Sequence, residues 1–482
     1  MVFSSVIFLF FFLPSVLAVY YLCPKSLRNL ILVCFSLFFY WWGEHRFVWV
    51  MIGSIAVNYL FALAVDCHRG QNAAKWIVAA AVAVNLSALV FFKYTDFIIL
   101  NVSHVWQAWG GNPLLAPGIH LPIGISFFTF HSLSYVIDVY RKHQDPIYRL
   151  DATALYISLF PQLIAGPILR YGYIQGQLIE RPHTIDKMSH GIQRFTIGLG
   201  KKMLIANTLA IPVDQIFNLH ESALNPALAW VGILCYTLQI YYDFSGYSDM
   251  AIGLGHMFGF TFMENFTYPY ASASIQEFWR RWHISLSSWF RDYLYIPLGG
   301  NQKGTLRTGI NLMTVFFLCG LWHGASWNFI IWGLFHGAFL VMERGVRWGG
   351  GGEVKVFRHI YVWSIVMVAW VFFRAETLPQ AISYLSVMSG QANAQGPFQP
   401  VQFFVGNETI AALLAGLLGA FPIVPWMKER IKSQRVLTPD GKNLWKAGMF
   451  HATETLVIAF ILFGCVVKLS AGTYNPFIYF RF

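Results

Sequence analysis

Apolar runs of about 20 residues, the length a helix needs to cross a hydrocarbon core, recur from Val2 almost to the last residue of the chain. Lipid offers no hydrogen-bond partners, so each run must satisfy its own backbone and is therefore expected to be helical. The predicted fold is all-α: a polytopic membrane bundle of about ten to thirteen helices. Only 11% of the 482 residues are charged, against about 25% in soluble domains. The net charge of +11 lies in short connectors, which reads as membrane topology and argues against a nucleic-acid partner. The clusters Lys25/Arg28, His68/Arg69/Lys75, Arg141/Lys142/Arg149, Arg344/Arg347 and Lys428/Arg430/Lys432/Arg435 all fall on one predicted side. That side is expected to be cytoplasmic, with the N-terminus outside.

The first run, VFSSVIFLFFFLPSVLAVYYL, lacks a basic leader and a small-residue cleavage site, so it reads as a retained helix. The six cysteines are scattered without CxxC or paired spacing; neither a disulfide nor a metal framework is expected. The chain is expected to form a single domain. A helical stack over 1–115 precedes a polar core over 116–345, and C-terminal helices follow over 346–482. Pro161, Gly166 and Pro167 predict a broken or re-entrant segment. A polar loop is expected at 375–408 and a basic connector at 428–446.

The chemistry-bearing residues concentrate in the core. Projected as one helix at about 100° per residue, 274–295 puts Trp279, Trp282, Leu286, Trp289, Phe290 and Tyr293 in one sector. Arg280, His283, Ser287 and Arg291 share another. Such a helix suits an interface or a polar cleft. His323, in CGLWHGASW, is an ionisable residue at membrane depth and hence a functional candidate. Gly320 and Gly324 beside it leave room for a ligand or for tight helix packing. His336 lies about 220° away on a straight helix, which suits a structural role. Asp243 and Asp249 share no face, and each is expected to meet an arginine, with Arg280 and Arg281 available, or to cap a helix break. These residues alone fit an intramembrane transferase and a transporter about equally.

QIYYDFSGYSDMAIG (239–253), ENFTYPY (264–270), EFWRRWHISLSSWFRDYLY (277–295) and GLWHGASWNFIIWGLFHG (320–337) together resemble the membrane-bound O-acyltransferase family. The likeness is strongest to the bacterial branch that O-acetylates exopolysaccharides, and it extends from the first apolar run to VKLSAGTYNPFIYFRF. It implies His323 as the catalytic histidine and His283 as the second family position, around a central tunnel. It also implies acetyl transfer from a cytoplasmic donor, acetyl-coenzyme A, with no permanently bound cofactor. Expected substrate contacts are Arg280, Arg281, Ser287, Arg291, Trp322 and Asn265, with His336, Asp243 and Asp249 in support and no metal. The implied setting is the bacterial inner membrane, N-terminus periplasmic. Acetyl would pass to a periplasmic SGNH-type or alginate-type acetyltransferase serving alginate, peptidoglycan or cellulose. D-alanyl transfer to teichoic acid and a channel without chemistry are the alternatives.

Overall fold

The computed structural model describes residues 2–346, 355–391, 399–427, 429, 444–472 and 474–476. Among them no strand occurs, and the multi-pass all-α bundle expected from the apolar runs is what forms. A π-helical turn at Phe8–Phe12 leads into α1 (Leu13–Leu22). Then follow α2 (Arg28–Glu44), α3 (Val48–Cys67) and α4 (Asn72–Ala108), the last far longer than the 76–92 segment read from hydropathy. At 37 residues and about 1.5 Å per residue, α4 is longer than a bilayer core is thick. α5 (Ile125–Tyr140) is followed by the broken stretch expected around Pro161, built of α6 (Leu150–Ser158) and the single turn α7 (Phe160–Leu163).

The core continues with α8 (Tyr171–Ile179), α9 (Ile185–Gly200), α10 (Asn207–Phe217) and α11 (Pro226–Met257). Two short helices, α12 (Ile275–Arg281) and α13 (Ile284–Phe290), precede α14 (Gly304–His323) and α15 (Trp327–Gly345). The rest comprises α16 (Lys355–Arg374), α17 (Leu378–Met388), α18 (Asn407–Gly419) and α19 (Leu444–Ser470). The expected polar loop at 375–408 thus contains a helix, α17, whose Ala381, Tyr384 and Val387 are buried. Its apolar positions recur three apart, a helical stripe. Arg347 and most of the basic connector at 428–446 lie outside the described residues.

By length and composition, five runs among the described residues are apolar enough to cross a membrane: 25–67, 72–108, 304–323, 356–374 and 452–470. α11 is long enough but carries Asp243 and Asp249, which α9 and the π-helical turn after it (Lys201–Ala206) neutralise. Gly191 and Gly198 on α9 meet Gly253 and Gly246 on α11; a Cβ on Gly198 would lie 2.5 Å from the Gly246 carbonyl oxygen, and one on Gly253 would lie 2.6 Å from that of Gly191. Backbones that close admit only small residues. The contact brings Lys202 to Asp243 (2.5 Å, both 3% exposed) and places Arg194 and Lys201 on Asp249 (2.7 Å each). The aspartates therefore do not meet Arg280 or Arg281; a chain segment 41 to 55 residues earlier provides their cations, Arg194 among them, which local spacing could not indicate.

Arg69 pairs with Asp145 (2.7 Å), next to the Arg141–Arg149 cluster, and Tyr148 donates to Asp66 (2.7 Å). The second and third basic clusters therefore share one face, called here the basic face.

Candidate active site

α14 leaves the basic face at Gly304 and ends at His323; after Gly324–Ser326, α15 returns to the same face. Close backbone approach holds this hairpin shut, since a Cβ on Gly320 would sit 2.3 Å from the Phe329 carbonyl and one on Gly333 2.2 Å from that of Phe316. Of the two sequence readings for Gly320, tight packing is the one observed. A Cβ on Gly324 would meet the Phe329 ring at 2.2 Å, so it too serves the hairpin.

The stretch 274–295 is not one helix. Trp282 is extended and His283 adopts the left-handed conformation (φ 44°, ψ 54°), which a non-glycine residue takes at a cost of about 1–2 kcal/mol. The four-residue stripe of Arg280, His283, Ser287 and Arg291 is therefore broken between its first and last members. Backbone pairing imposes the break: Thr267 N–H donates to Arg281 O and Ile284 N–H to Asn265 O, each at 3.0 Å. No glycine or proline marks it, so periodicity alone ran straight through.

The outer ends of this broken pair both lie at the basic face. Glu343, near the end of α15, accepts from the N–H groups of Ile275 (2.6 Å) and Gln276 (2.9 Å), which open α12. Past α13, Arg141 donates to Asp292 O (3.0 Å), Arg170 pairs with the Asp292 carboxylate, and Tyr293 donates to Asp138 (2.7 Å). His283 is therefore the apex of a V that dips into the bundle. Up α15 from Glu343, His336 lies 5.1 Å from the Trp279 ring and 5.3 Å from Trp332, and Trp332 lies 4.9 Å from His323. Trp322 joins the two candidate histidines, with ring centroids 4.9 Å from His323 and 6.0 Å from His283.

His283 is fully buried, and Asn265 sets its tautomer. Asn265 Oδ1 accepts from Ser285 N–H (3.1 Å) and Ser285 Oγ (2.9 Å), so this end of the amide is the oxygen, and it lies 3.2 Å from His283 Nδ1. A neutral His283 must then carry its proton on Nδ1. Its Nε2 keeps a lone pair and has no partner among the described residues. Asn265, expected as a substrate contact, is instead bound to the second histidine.

His323 borders a cavity of about 340 Å³, together with Trp322, Lys93, Ile164 and the 120–127 stretch; His283 is outside that lining. The cavity lies away from the basic face, at the end of α14 opposite Gly304 and beside His120, which pairs with Glu44 at the end of α2 (3.1 Å). Gly124, at φ +77°, starts α5 at the cavity wall, where a Cβ would meet Leu163 O at 2.7 Å. The broken segment after Pro161 is thus built into the wall. Lys93 and His120 were not singled out from sequence, although a lysine in the run LVFFKYTDFII is itself a charge at membrane depth.

The remaining expected residues are further out. Arg281 pairs with Glu277 (2.6 Å) and Arg291 with Asp292 (2.7 Å), while Arg280 is exposed. Ser287 N–H donates to His283 O (3.0 Å), one turn into α13. His336 is buried in an aromatic box of Phe278, Trp279, Trp332 and Trp370.

A histidine at the end of a buried hairpin, facing a cavity with a second histidine behind it, is a constellation for acid–base chemistry at membrane depth. Residues 85–372 match the model of the membrane-bound O-acyltransferase family, MBOAT. The chain belongs to this family. Its relatives include a probable alginate O-acetylase of Azotobacter vinelandii, 41% identical with all of both chains covered. A peptidoglycan O-acetyltransferase of Helicobacter pylori is 37% identical over 81% of this chain and 80% of its own length. A teichoic acid D-alanyltransferase of Bacillus subtilis is 32% identical over 45% of this chain and 58% of its own. The protein is a membrane O-acyltransferase, and the four core motifs read from its sequence lie within the matched residues.

Proposed function

We propose that this acyltransferase O-acetylates a cell-surface or extracellular polysaccharide, working in the bacterial inner membrane with its basic face cytoplasmic. The two acetyltransferase likenesses, one over the whole chain and one over 81% of it, favour acetyl over D-alanyl, since the D-alanyl relative covers under half of the chain. The observation that carries the reading is His323 at the cavity wall with His283 one indole away. Acetyl-coenzyme A is the proposed donor, approaching from the basic face along the V of α12 and α13, where Arg280, Arg281 and Arg291 lie. The acceptor hydroxyl, on a carrier, a periplasmic acetyltransferase or the glycan itself, enters the cavity from the far face.

In the transfer the acceptor oxygen attacks the thioester carbonyl and its proton passes to His323. The C–S bond breaks as the C–O bond forms, and the thiolate leaves with that proton. The Nδ1–H tautomer makes His283 a proton acceptor toward the site rather than an oxyanion donor, so it suits holding the thiol or the acceptor hydroxyl. His323→Ala tests the reading: at wild-type membrane abundance, the O-acetyl content of the envelope polysaccharide should fall to background. Acetylation retained at wild-type level would refute it.

A further inference from the structure

The last four carbonyls of any helix need partners from outside its own ladder, and in α14 these belong to Gly320, Leu321, Trp322 and His323. Gly324 directly after His323 has the look of a glycine cap, but it is extended (φ −168°, ψ 153°) and forms no left-handed cap of the usual kind. Its N–H reaches only Gly320 O, at 3.3 Å. The other three carbonyls are held by one neighbouring helix. Tyr94 OH donates to Leu321 O at 2.7 Å, and Lys93 Nζ lies 2.5 Å from Trp322 O and 3.3 Å from His323 O. Two consecutive residues of α4 thus fix the terminus on which His323 stands.

A tyrosine or serine would suffice to hold carbonyls, and a lysine at this depth is costly. Part of that cost is offset by placing a cation at a helix C-terminus, worth about 0.3–1 kcal/mol at exposed sites and more when partly buried. Lys93 also does what Tyr94 does not: it lines the His323 cavity. An ammonium has three donors; two are directed to Trp322 and His323, which leaves one for the cavity. Acyl transfer needs a donor for the oxyanion, and the His283 tautomer offers none.

We propose that Lys93 is an active-site residue of the acyl transfer, latching the His323 terminus with two N–H groups and giving the third to the carbonyl oxygen of the acyl group as it gains charge. This rests on the acyltransferase reading of His323. No covalent bond forms at Lys93, and its proton stays in place.

The experiment measures the rate of polysaccharide O-acetylation per folded protein for the full-length chain in its membrane. The variants are Lys93→Met, which keeps length and apolar stem, Lys93→Arg, which keeps the cation, and Tyr94→Phe, which removes only a carbonyl donor. Expected are a loss of about 10²-fold for Met, the scale of one oxyanion donor, recovery to within roughly tenfold by Arg, and a Tyr94→Phe effect that tracks its thermal stability. The proposal is overturned if Lys93→Met stays within threefold of wild type. It is also overturned if the Met and Arg variants lose activity only in proportion to folded protein. Should the Met variant fail to accumulate, the Arg variant decides: folded and active supports the charge, folded and inactive at the level of His323→Ala refutes it. His323→Ala run in parallel separates the two failures, because its retained activity would remove the acyltransferase reading itself.

Discussion

The two histidine arms of this molecule are built on opposite principles. His323 stands at the end of a regular hairpin, whose helices are pressed together by Gly320 and Gly333 and whose terminus is held by α4. His283 stands at a break, in a left-handed conformation that its neighbours force on it. One arm gains its precision from regular packing, the other from local strain and a polar cluster. The difference teaches where each is vulnerable: His323 to loss of its cap or its packing, His283 to loss of Asn265.

The largest expected effect lies on the regular arm. His323→Ala removes the proposed base, and general-base catalysis contributes about 10²–10⁴-fold. Its thermal stability should change little, because the ring has no hydrogen-bond partner at Nδ1 to lose. A His323→Ala protein that melts far below wild type would mean that the ring is a structural group of the hairpin. On the strained arm, Asn265→Ala removes the acceptor shared by the Ser285 N–H, the Ser285 Oγ and the His283 ring; the hydroxyl and the ring lie 3.4 Å apart and can pair with each other, which leaves the Ser285 N–H stranded. Such a buried orphan costs about 1–3 kcal/mol, and the His283 tautomer is released. Activity should fall by about 10–100-fold, the range for removing a group that orients a site imidazole. Asn265→Asp, which keeps the acceptor, should recover much of it; if Asp is no better than Ala, Asn265 does not act through the imidazole.

How much of this contrast was legible in the sequence follows from the same physics. His323 could be found because no charged neighbour accompanied it in an apolar run, and α14 and α15 are regular enough for composition to locate them. His283 could be found as a residue, through the resemblance of EFWRRWHISLSSW, but not as a geometry. Its break is enforced by 265–267, residues about twenty positions earlier, and a helical projection sees only its own window. Lys202, Lys201 and Arg194 were missed as partners of Asp243 and Asp249 for the same reason. Lys93 was different: the signal, a lysine in an apolar run, lay within its own window and was not singled out.

Strain itself gives a sharper comparison. His283→Ala and His283→Gly both delete the imidazole, so both should lose activity alike. Glycine occupies the left-handed region freely while alanine does not, so the glycine variant should be more stable than the alanine variant by about 1 kcal/mol. Thermal melts of the two in the same detergent would measure it. Equal stabilities would mean that the apex relaxes out of the left-handed region once the ring is gone, and the strain account of this arm would fall.

The smallest effects belong to the arginines at the outer ends of the V. Arg281 and Arg291 each face a carboxylate, Glu277 and Asp292, which cancels most of their pull on an approaching phosphate. Arg280 is exposed, and no such carboxylate is paired with it among the described residues. Exposed charges contribute about 0.2–1 kcal/mol in water, so Arg280→Ala should raise the KM for the proposed donor, acetyl-coenzyme A, by roughly two- to fivefold and leave kcat unchanged. Arg291→Ala, which also uncovers Asp292, should move KM by a similar or smaller factor. A fall in kcat for Arg280→Ala would place this residue near the reacting atoms. The V would then be a lining of the reaction centre along its whole length, and not a ramp with only its apex at the reacting atoms.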